Sequence, residues 1–345
     1  MKTCVVSTNN ISMTPYFSVY KKILKSYDII YWNRNDDKEI LEAENVFEFS
    51  DKGQNKNVSY IKFLFYVVRI LNSQCYDRVV FLHSQVGIAI YPLIFRKYRG
   101  KYICDIRDYE YENYWIYRKL EKFFTNNSIV NIISSPGYKQ FLPKSEYHIL
   151  HNDRLVEKKY IAAHDEKKQG GKLVIGNIGL IRFHEQNKRL LLKLKNDDRF
   201  ELRFIGTGAN ELREFCSDNQ IENVVIKDYF KANETMKYFS ECDMVFNLYG
   251  NHTPHLDYAL SNKLYIAARF AMPILVCPDT YMEKVSVENG FGIVVDLNQD
   301  DVGSNIYEQY KKLMNSNIKN SCNTFIEKIE KENETTLEVM KTQFL

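Results

Sequence analysis

Short apolar runs recur along the whole chain, and longer segments with helical spacing fill the gaps between them. In the first half the runs are Cys4–Ser7, Ile29–Trp32, Arg78–Leu82, Tyr102–Ile106, Ser128–Ile133 and Tyr147–Leu150. In the second they are Leu173–Ile178, Leu202–Ile205, Val224–Lys227, Met244–Leu248, Ile274–Val276 and Gly292–Val295. Helical spacing marks Tyr16–Ser26, Tyr60–Asn72, Val86–Tyr98, Tyr109–Asn126, Glu185–Leu194 and Glu211–Ser217, and the whole stretch from Ile306 to Leu345. Strand–helix–strand repetition of this kind builds parallel sheets covered by helices. An acidic, turn-rich stretch up to about Val58 interrupts it early.

A second interruption divides the chain. His151–Gly171 is polar and charged and ends in Gly-Gly, which marks an interdomain linker. At 345 residues the chain also exceeds what one hydrophobic core usually serves. The expected fold is α/β: two doubly wound, Rossmann-like domains facing a cleft, over residues 1–160 and 161–325, with a C-terminal helix over 326–345.

Composition narrows the function. The 25 Tyr and 21 Phe are an unusual load, and packing in cores and at sheet edges accounts for it. The opening MKTCVVSTNN has too short an apolar stretch for a signal peptide, and no segment approaches the roughly 18 apolar residues of a membrane span. The seven cysteines are scattered, without a Cys-x-x-Cys, and Cys4, Cys104, Cys242 and Cys277 lie in or beside apolar runs, as buried thiols do. A reduced, cytoplasmic protein is expected. Residues 1–160 hold 24 Lys and Arg against 17 Asp and Glu, a surplus of 7 that the remainder lowers to the overall +3. A basic first half fits an anionic lipid surface or a solvated face. No basic stripe or motif for nucleic acid accompanies it, so no nucleic-acid partner is expected.

Several site classes are excluded by their motifs. The segment STNNISMTP after the first run has no glycine, whereas a dinucleotide fingerprint needs glycines there for the pyrophosphate. Gly206-Thr207-Gly208 is followed by Glu211 where a third glycine would stand; it still allows close backbone approach to a ligand. Walker A and Gly-x-Ser-x-Gly patterns are missing, which disfavours ATPase and α/β-hydrolase chemistry. There is no Asp-x-Asp, and His252 and His255 have no zinc-type partner pattern. No metal and no cofactor are expected.

The richest stretch is Asp243–Asp296. An apolar run, Met244–Leu248, leads into a polar loop of His, Asn and Pro, then helical spacing over Asp257–Phe270 and a second run, Ile274–Val276. Open α/β sheets bind ligands at the carboxyl ends of their strands. Asn262 and Lys263 stand near the start of the helical segment, where an anion meets both a cation and helix amides.

Taken together, IGNIGLIRF from Ile175, ELRFIGTGAN, KDYFKANETMKYFSECDMVFNLY and SNKLYIAARFAMPILV resemble, in order and spacing, the donor domain of glycosyltransferases of the GT-B fold. The likeness is to the large family 4 (group 1) set. In the first half, YICDIRDYEYENYW, the SSPGY turn and LHN at Leu150 match the same family, and YDIIYWNR resembles its surface-polysaccharide-building subgroup. The resemblance covers most of the chain. It implies a retaining, metal-independent transfer from a nucleotide sugar to a lipid-linked or growing oligosaccharide, in capsule, O-antigen or exopolysaccharide synthesis at the inner membrane face.

Such a reaction must stabilise a departing diphosphate, and without a metal that falls to Arg, Lys and helix-terminal amides. The resemblance gives the donor site Gly179, Arg182, Lys188, Gly206, Asn262 and Lys263, with Tyr229 and Phe230 flanking the base. Lys188 equally fits a solvated surface charge, and the two aromatics equally fit core packing. On the acceptor side, Asp108 is the first choice for the carboxylate that orients or deprotonates a hydroxyl, and Asp105 the second. Arg107 either holds a phosphate or forms an ion pair with its neighbours, and His83 also reaches the expected cleft. Many relatives hold the donor ribose with the second of two glutamates; counted back from Pro273, those positions are Tyr258 and Ile266 here. Ala271 stands where a glycine is frequent. Two rivals follow: a non-catalytic partner subunit of another transferase, and a nucleotide-sugar epimerase on the same fold. Arg96, Lys97, Arg99 and Lys101 are the best candidate patch for an anionic membrane, and fit a plain surface patch nearly as well.

Overall fold

The structure, a computed structural model, describes residues 1–14, 16–34, 39–51, 55–166 and 171–344. It divides into two compact units, Met1–His151 with Glu330–Leu345, and Asn152–Ile329. The first contains β1 (Thr3–Ser7), α1 (Phe17–Lys21), β2 (Tyr27–Trp32), β3 (Val46–Phe49), α2 (Lys56–Ser73) and β4 (Arg78–Phe81). These are followed by α3 (Ser84–Tyr98), β5 (Tyr102–Ile106), α4 (Trp115–Thr125), β6 (Val130–Ile133) and β7 (His148–Ile149). The strands form a parallel sheet in the order β3-β2-β1-β4-β5-β6-β7.

β1, β2, β5 and β6 are buried at every residue, which is why they read as mostly apolar runs, with Asp28, Asp105 and Asn131 as buried polar exceptions. The aromatic load is concentrated around this sheet. Tyr102 stacks on Phe124 at 4.4 Å, and a Cβ on Gly87 of α3 would lie 2.3 Å from the Phe124 ring. Two of the buried phenols find backbone acceptors: Tyr98 donates to the Leu71 carbonyl at 2.6 Å and Tyr102 to that of Phe124 at 2.5 Å, which offsets the desolvation of their polar ends.

The second unit contains α5 (Lys158–Asp165), β8 (Leu173–Ile178), α6 (His184–Lys193), β9 (Phe200–Ile205), α7 (Arg213–Asp218), β10 (Val224–Lys227) and α8 (Thr235–Ser240). After these come β11 (Met244–Asn247), α9 (Pro254–Asp257), α10 (Asn262–Arg269), β12 (Ile274–Val276), α11 (Tyr281–Glu288), β13 (Gly292–Val294) and α12 (Val302–Asn315). Its sheet is also parallel, in the order β10-β9-β8-β11-β12-β13. Alternate residues of β11 serve two cores: Val245 packs with Leu264 and Phe270, Met244 and Phe246 with Leu190 and Phe204. The α/β class of two doubly wound sheets is therefore as expected.

The boundaries differ from expectation. The first unit ends at His151 rather than 160, and the terminal residues are no separate segment. The last helix, α13 (Ile318–Phe344), starts in the core of the second unit through Cys322 and Phe325 and ends in that of the first through Met340 and Phe344. There Arg78 donates to the Phe344 carbonyl at 3.0 Å and Thr336 to that of Ile149 at 2.5 Å. The expected linker contains α5, and its positions 167–170 lie outside the described residues. β3 lies inside the acidic stretch. α4 starts at Trp115, six residues later than its spacing suggested, leaving 107–114 as a loop. Among the described residues no helix is long and apolar enough to cross a membrane.

Strand order reverses between β1 and β4 in one sheet and between β8 and β11 in the other. These reversals are where each sheet can bind a ligand.

Candidate functional site

In the second unit, the reversal point is spanned by a buried cation. Lys263, the second residue of α10, is 5% exposed. Its Nζ donates to Asn177 Oδ1 of β8 at 2.5 Å and to the Phe246 carbonyl of β11 at 3.1 Å. Both acceptors are neutral, and among the described residues no carboxylate pairs with it. The Tyr249 ring lies 5.3 Å from the ammonium and stacks on Phe183 at 4.8 Å. Asn177 in turn meets Asn187 of α6 at 3.4 Å, and Asn187 donates to the Arg182 carbonyl at 2.9 Å. A polar chain thus runs from the ammonium to the loop between β8 and α6. At the end of β11, Asn247 keeps a buried Oδ1 with no partner.

That loop is shaped by two glycines. Gly179 has φ +117° and Gly206 φ +134°, conformations closed to most side chains. A Cβ on Gly206 would fall 1.7 Å from the Gly179 carbonyl oxygen, so the two turns pack directly against each other. Asp228 Oδ1 accepts from the Gly208 and Asn210 amides at 3.2 and 3.1 Å and fixes the second turn. Arg182 is exposed at the head of the ten-residue α6, with its guanidinium 5.6 Å from the Phe183 ring and no carboxylate partner among the described residues.

The remaining expected donor residues are placed unequally. Lys188 is half-buried and reaches Glu185 at 3.5 Å. Asn262 opens α10 behind the Ser261 cap, whose hydroxyl accepts from the Lys263 amide at 3.3 Å. Tyr229 is 71% exposed, whereas the half-buried Phe230 packs edge-on to Tyr238 at 5.3 Å and against the core. Ile266 is 2% exposed within that same core, so its position offers a ligand nothing. His252 is exposed on the loop after β11 and His255 on α9; among the described residues no cluster of His, Cys, Asp or Glu could hold a metal.

In the first unit a cavity of about 650 Å³ opens at the carboxyl ends of β1, β2, β4 and β5. Its wall combines the aromatic faces of Trp32, Tyr60 and Tyr111 with Arg34, Asp108 and Glu110. The Arg34 guanidinium lies 4.3 Å over Trp32. His83 accepts from the Thr8 amide through Nδ1 at 3.3 Å, which leaves the proton on Nε2. Burial, with Arg34 and Arg107 nearby, pushes its pKa down to about 3, so the ring is neutral at ordinary pH. Burial and the charges of Asp108 and Glu112 push Glu110 up to about 7.

The three residues expected to be catalytic separate here. Asp108 is exposed on the cavity wall. Asp105 is fully buried; it pairs with Arg107 at 2.6 Å and accepts from Tyr20 at 2.6 Å. Arg107 also donates to the Leu150 carbonyl at 2.8 Å and lies 4.0 Å over the Tyr16 ring. The two are a structural ion pair beneath the cavity, because neither has a face left for substrate. Thr8, Asn9, Trp32, Arg34 and Tyr60 were not singled out from sequence. The usable signal was positional: Thr8, Arg34 and His83 each fall within two residues of a strand's carboxyl end.

No family model and no curated protein matches the sequence. Solved structures do. HepE of Anabaena, in complex with UDP and glucose, superimposes with a TM-score of 0.70 at 11% identity over 99% of this chain and 100% of that one. Sucrose-phosphate synthase from Thermosynechococcus elongatus gives 0.67 at 9% identity over 94% of each chain. A UDP-GlcNAc 2-epimerase from Neisseria meningitidis, bound to UDP-GlcNAc, gives 0.60 at 14% identity over 96% and 100%. The chain therefore has the GT-B fold.

Proposed function

We propose that the chain is a glycosyltransferase that draws on a nucleotide diphosphate sugar bound where β8 and β11 diverge. The observation that carries the reading is Lys263, a buried cation held by two neutral acceptors where the sheet can bind a ligand. A buried ammonium without a counter-charge is costly, and a diphosphate supplies that charge. Arg182 and the first amides of α6 would meet the phosphates from above, Asn262 the ribose or phosphate, and the exposed Tyr229 ring the base. These groups sit where negative charge grows on the leaving group, so they act in the transition state.

The first-unit cavity suits a sugar-bearing acceptor, with aromatic faces for the ring and carboxylates for its hydroxyls. Asp108 is the residue to orient or deprotonate the attacking hydroxyl. Retention, metal independence and a lipid-linked or oligosaccharide acceptor in surface-polysaccharide synthesis complete the proposal, and rest on the motif resemblance described above. The HepE structure with UDP and glucose and the epimerase structure with UDP-GlcNAc support a uridine nucleotide as the first donor type to try.

Ile266 favours one rival, a subunit that keeps the fold and lacks activity, since an apolar side chain replaces the ribose-binding carboxylate of many relatives. A thermal-shift panel of nucleotide diphosphates and their sugars decides among these readings, because a ligand of the native state raises the melting temperature. The transferase reading expects a shift with one nucleotide diphosphate and slow release of its unaltered sugar. No shift with any nucleotide at millimolar level removes it, and release of an epimeric sugar replaces it with the epimerase.

A further inference from the structure

Two buried acids face each other where the loop over 107–114 meets α4, and the proposed transfer makes no use of them. Glu112 of the loop is 4% exposed and Glu121 of α4 is 1% exposed, and each carboxyl acts on the other. Among the described residues neither forms an ion pair with Lys, Arg or His. The cation that acts on Glu121 is Arg118 of α4, and its effect is smaller than that of Glu112. The other titratable neighbours are Asp108, Tyr109 and Glu110 from the loop, Tyr117 from α4, Cys104 from β5, and Tyr138 and Tyr147 beyond β6. Two carboxylates cannot both stay ionised in such a place, because burial penalises each charge and the charges repel. Burial accordingly pushes both groups up, Glu121 to about 8.

The acids stand at a joint. Glu112 Oε2 accepts from the Glu110 amide at 2.6 Å and fixes the turn of the loop. Tyr111 lies 5.6 Å from the Tyr117 ring of α4, and Tyr109 packs edge-on to Phe141 at 5.0 Å. The same loop gives the cavity wall Asp108, Glu110 and Tyr111. We propose that Glu112 and Glu121 form a proton-operated latch: one proton between the two carboxyls holds the loop on α4 and the cavity wall in place, and its loss lifts the loop. In the lifted loop both acids meet water and ionise in the ordinary carboxyl range. The closed form therefore carries a proton that the open form gives up. Closing is strongest below pH 4.5, weakens about tenfold per pH unit above it, and stops weakening above about 8, where the closed form is deprotonated too. Glu110, pushed up to about 7, steepens the trend below that pH. The consequence for catalysis rests on the proposed transferase reading, in which lifting the loop takes Asp108 away from the acceptor.

The test is hydrogen–deuterium exchange of the full chain from pH 6 to 9. It is read on peptides over 107–114 and corrected for the intrinsic pH dependence of amide exchange. Opening of the wild type should rise at least about tenfold per pH unit between 6 and 7.5 and level off above 8. Glu121→Gln, neutral at every pH, should lower that rise by about tenfold per unit, and Glu112→Gln should do the same. Glu110→Gln should keep the part that Glu121 carries. A flat wild-type profile, a rise untouched by Glu121→Gln and Glu112→Gln, or one abolished by Glu110→Gln alone overturns the inference. So does a rise confined to the amides of β5, which would make the acids a burden on the whole fold and not a latch on the loop. A nucleotide thermal shift at pH 7 keeps the two readings apart. A shift without pH-dependent opening sinks only this inference, and opening without a shift sinks only the transferase.

Discussion

Glu121→Gln is expected to stabilise the protein at neutral pH. Glu121 is 1% exposed in α4, and the group that faces its carboxyl is another acid, Glu112. Burial first, and then the charge of Glu112 beside it, push its pKa up to about 8 from an ordinary 4.5. At pH 7 the native carboxyl is protonated while the unfolded one is ionised, so folding must take up a proton. From pH 7 down to 4.5, at about 1.4 kcal/mol per pH unit, the cost is about 3 kcal/mol. Below pH 4.5 both states are protonated and the cost vanishes; the native state loses stability as pH rises from there towards 8. Glutamine keeps the shape and is neutral in both states. Melting curves of the variant and the wild type should coincide near pH 4 and diverge at pH 7 by roughly 6–12 °C in the variant's favour. A difference that does not change with pH, or a variant that melts lower at pH 7, would refute the reasoning.

Asp105→Asn and Asp108→Asn should separate support from chemistry. The first strands the buried Arg107 guanidinium and costs about 3–5 kcal/mol in urea unfolding. The second changes stability by less than about 0.5 kcal/mol, yet lowers sugar transfer once an acceptor is in hand; equal stability losses would erase the distinction. Gly206→Ala forces a Cβ onto the Gly179 carbonyl at φ +134° and should cost at least about 2 kcal/mol by the same assay. A neutral result there would mean that the two turns are not fixed against each other.

Strands buried on both faces were legible because apolar residues dominate them, even where a buried Asp28, Asp105 or Asn131 interrupts the run. β3 was not: its residues alternate between exposed and half-buried at the sheet edge, and VFEF inside an acidic stretch gives a weak signal. The loop over 107–114 was hidden by its aromatics, whose spacing continues that of α4 while Tyr111 turns into the cavity wall. The return of Met340 and Phe344 to the first core is a tertiary fact that no local pattern carries. At the site, Lys263 and Asn262 were legible as a cation and polar group at a helix start. That the ammonium lies buried beneath the loop, held by Asn177 and Phe246, depends on the crossing of two strands 69 residues apart in register at Met244 and Ile175. Asp105 and Arg107 look alike in sequence whether they serve a substrate or each other; burial alone distinguishes the cases.

Isothermal titration of a uridine diphosphate into the wild type and into Lys263→Met tests the central claim most directly. Removing one buried charge-assisted hydrogen bond should weaken binding by about ten- to a hundredfold. Because methionine replaces a buried charge with an apolar chain of similar length, the unliganded variant should melt no lower than the wild type. Loss of affinity with unchanged melting is the result the account predicts. Equal affinity in the two proteins, or a variant that binds normally and only melts lower, would show that Lys263 holds the fold and not the donor.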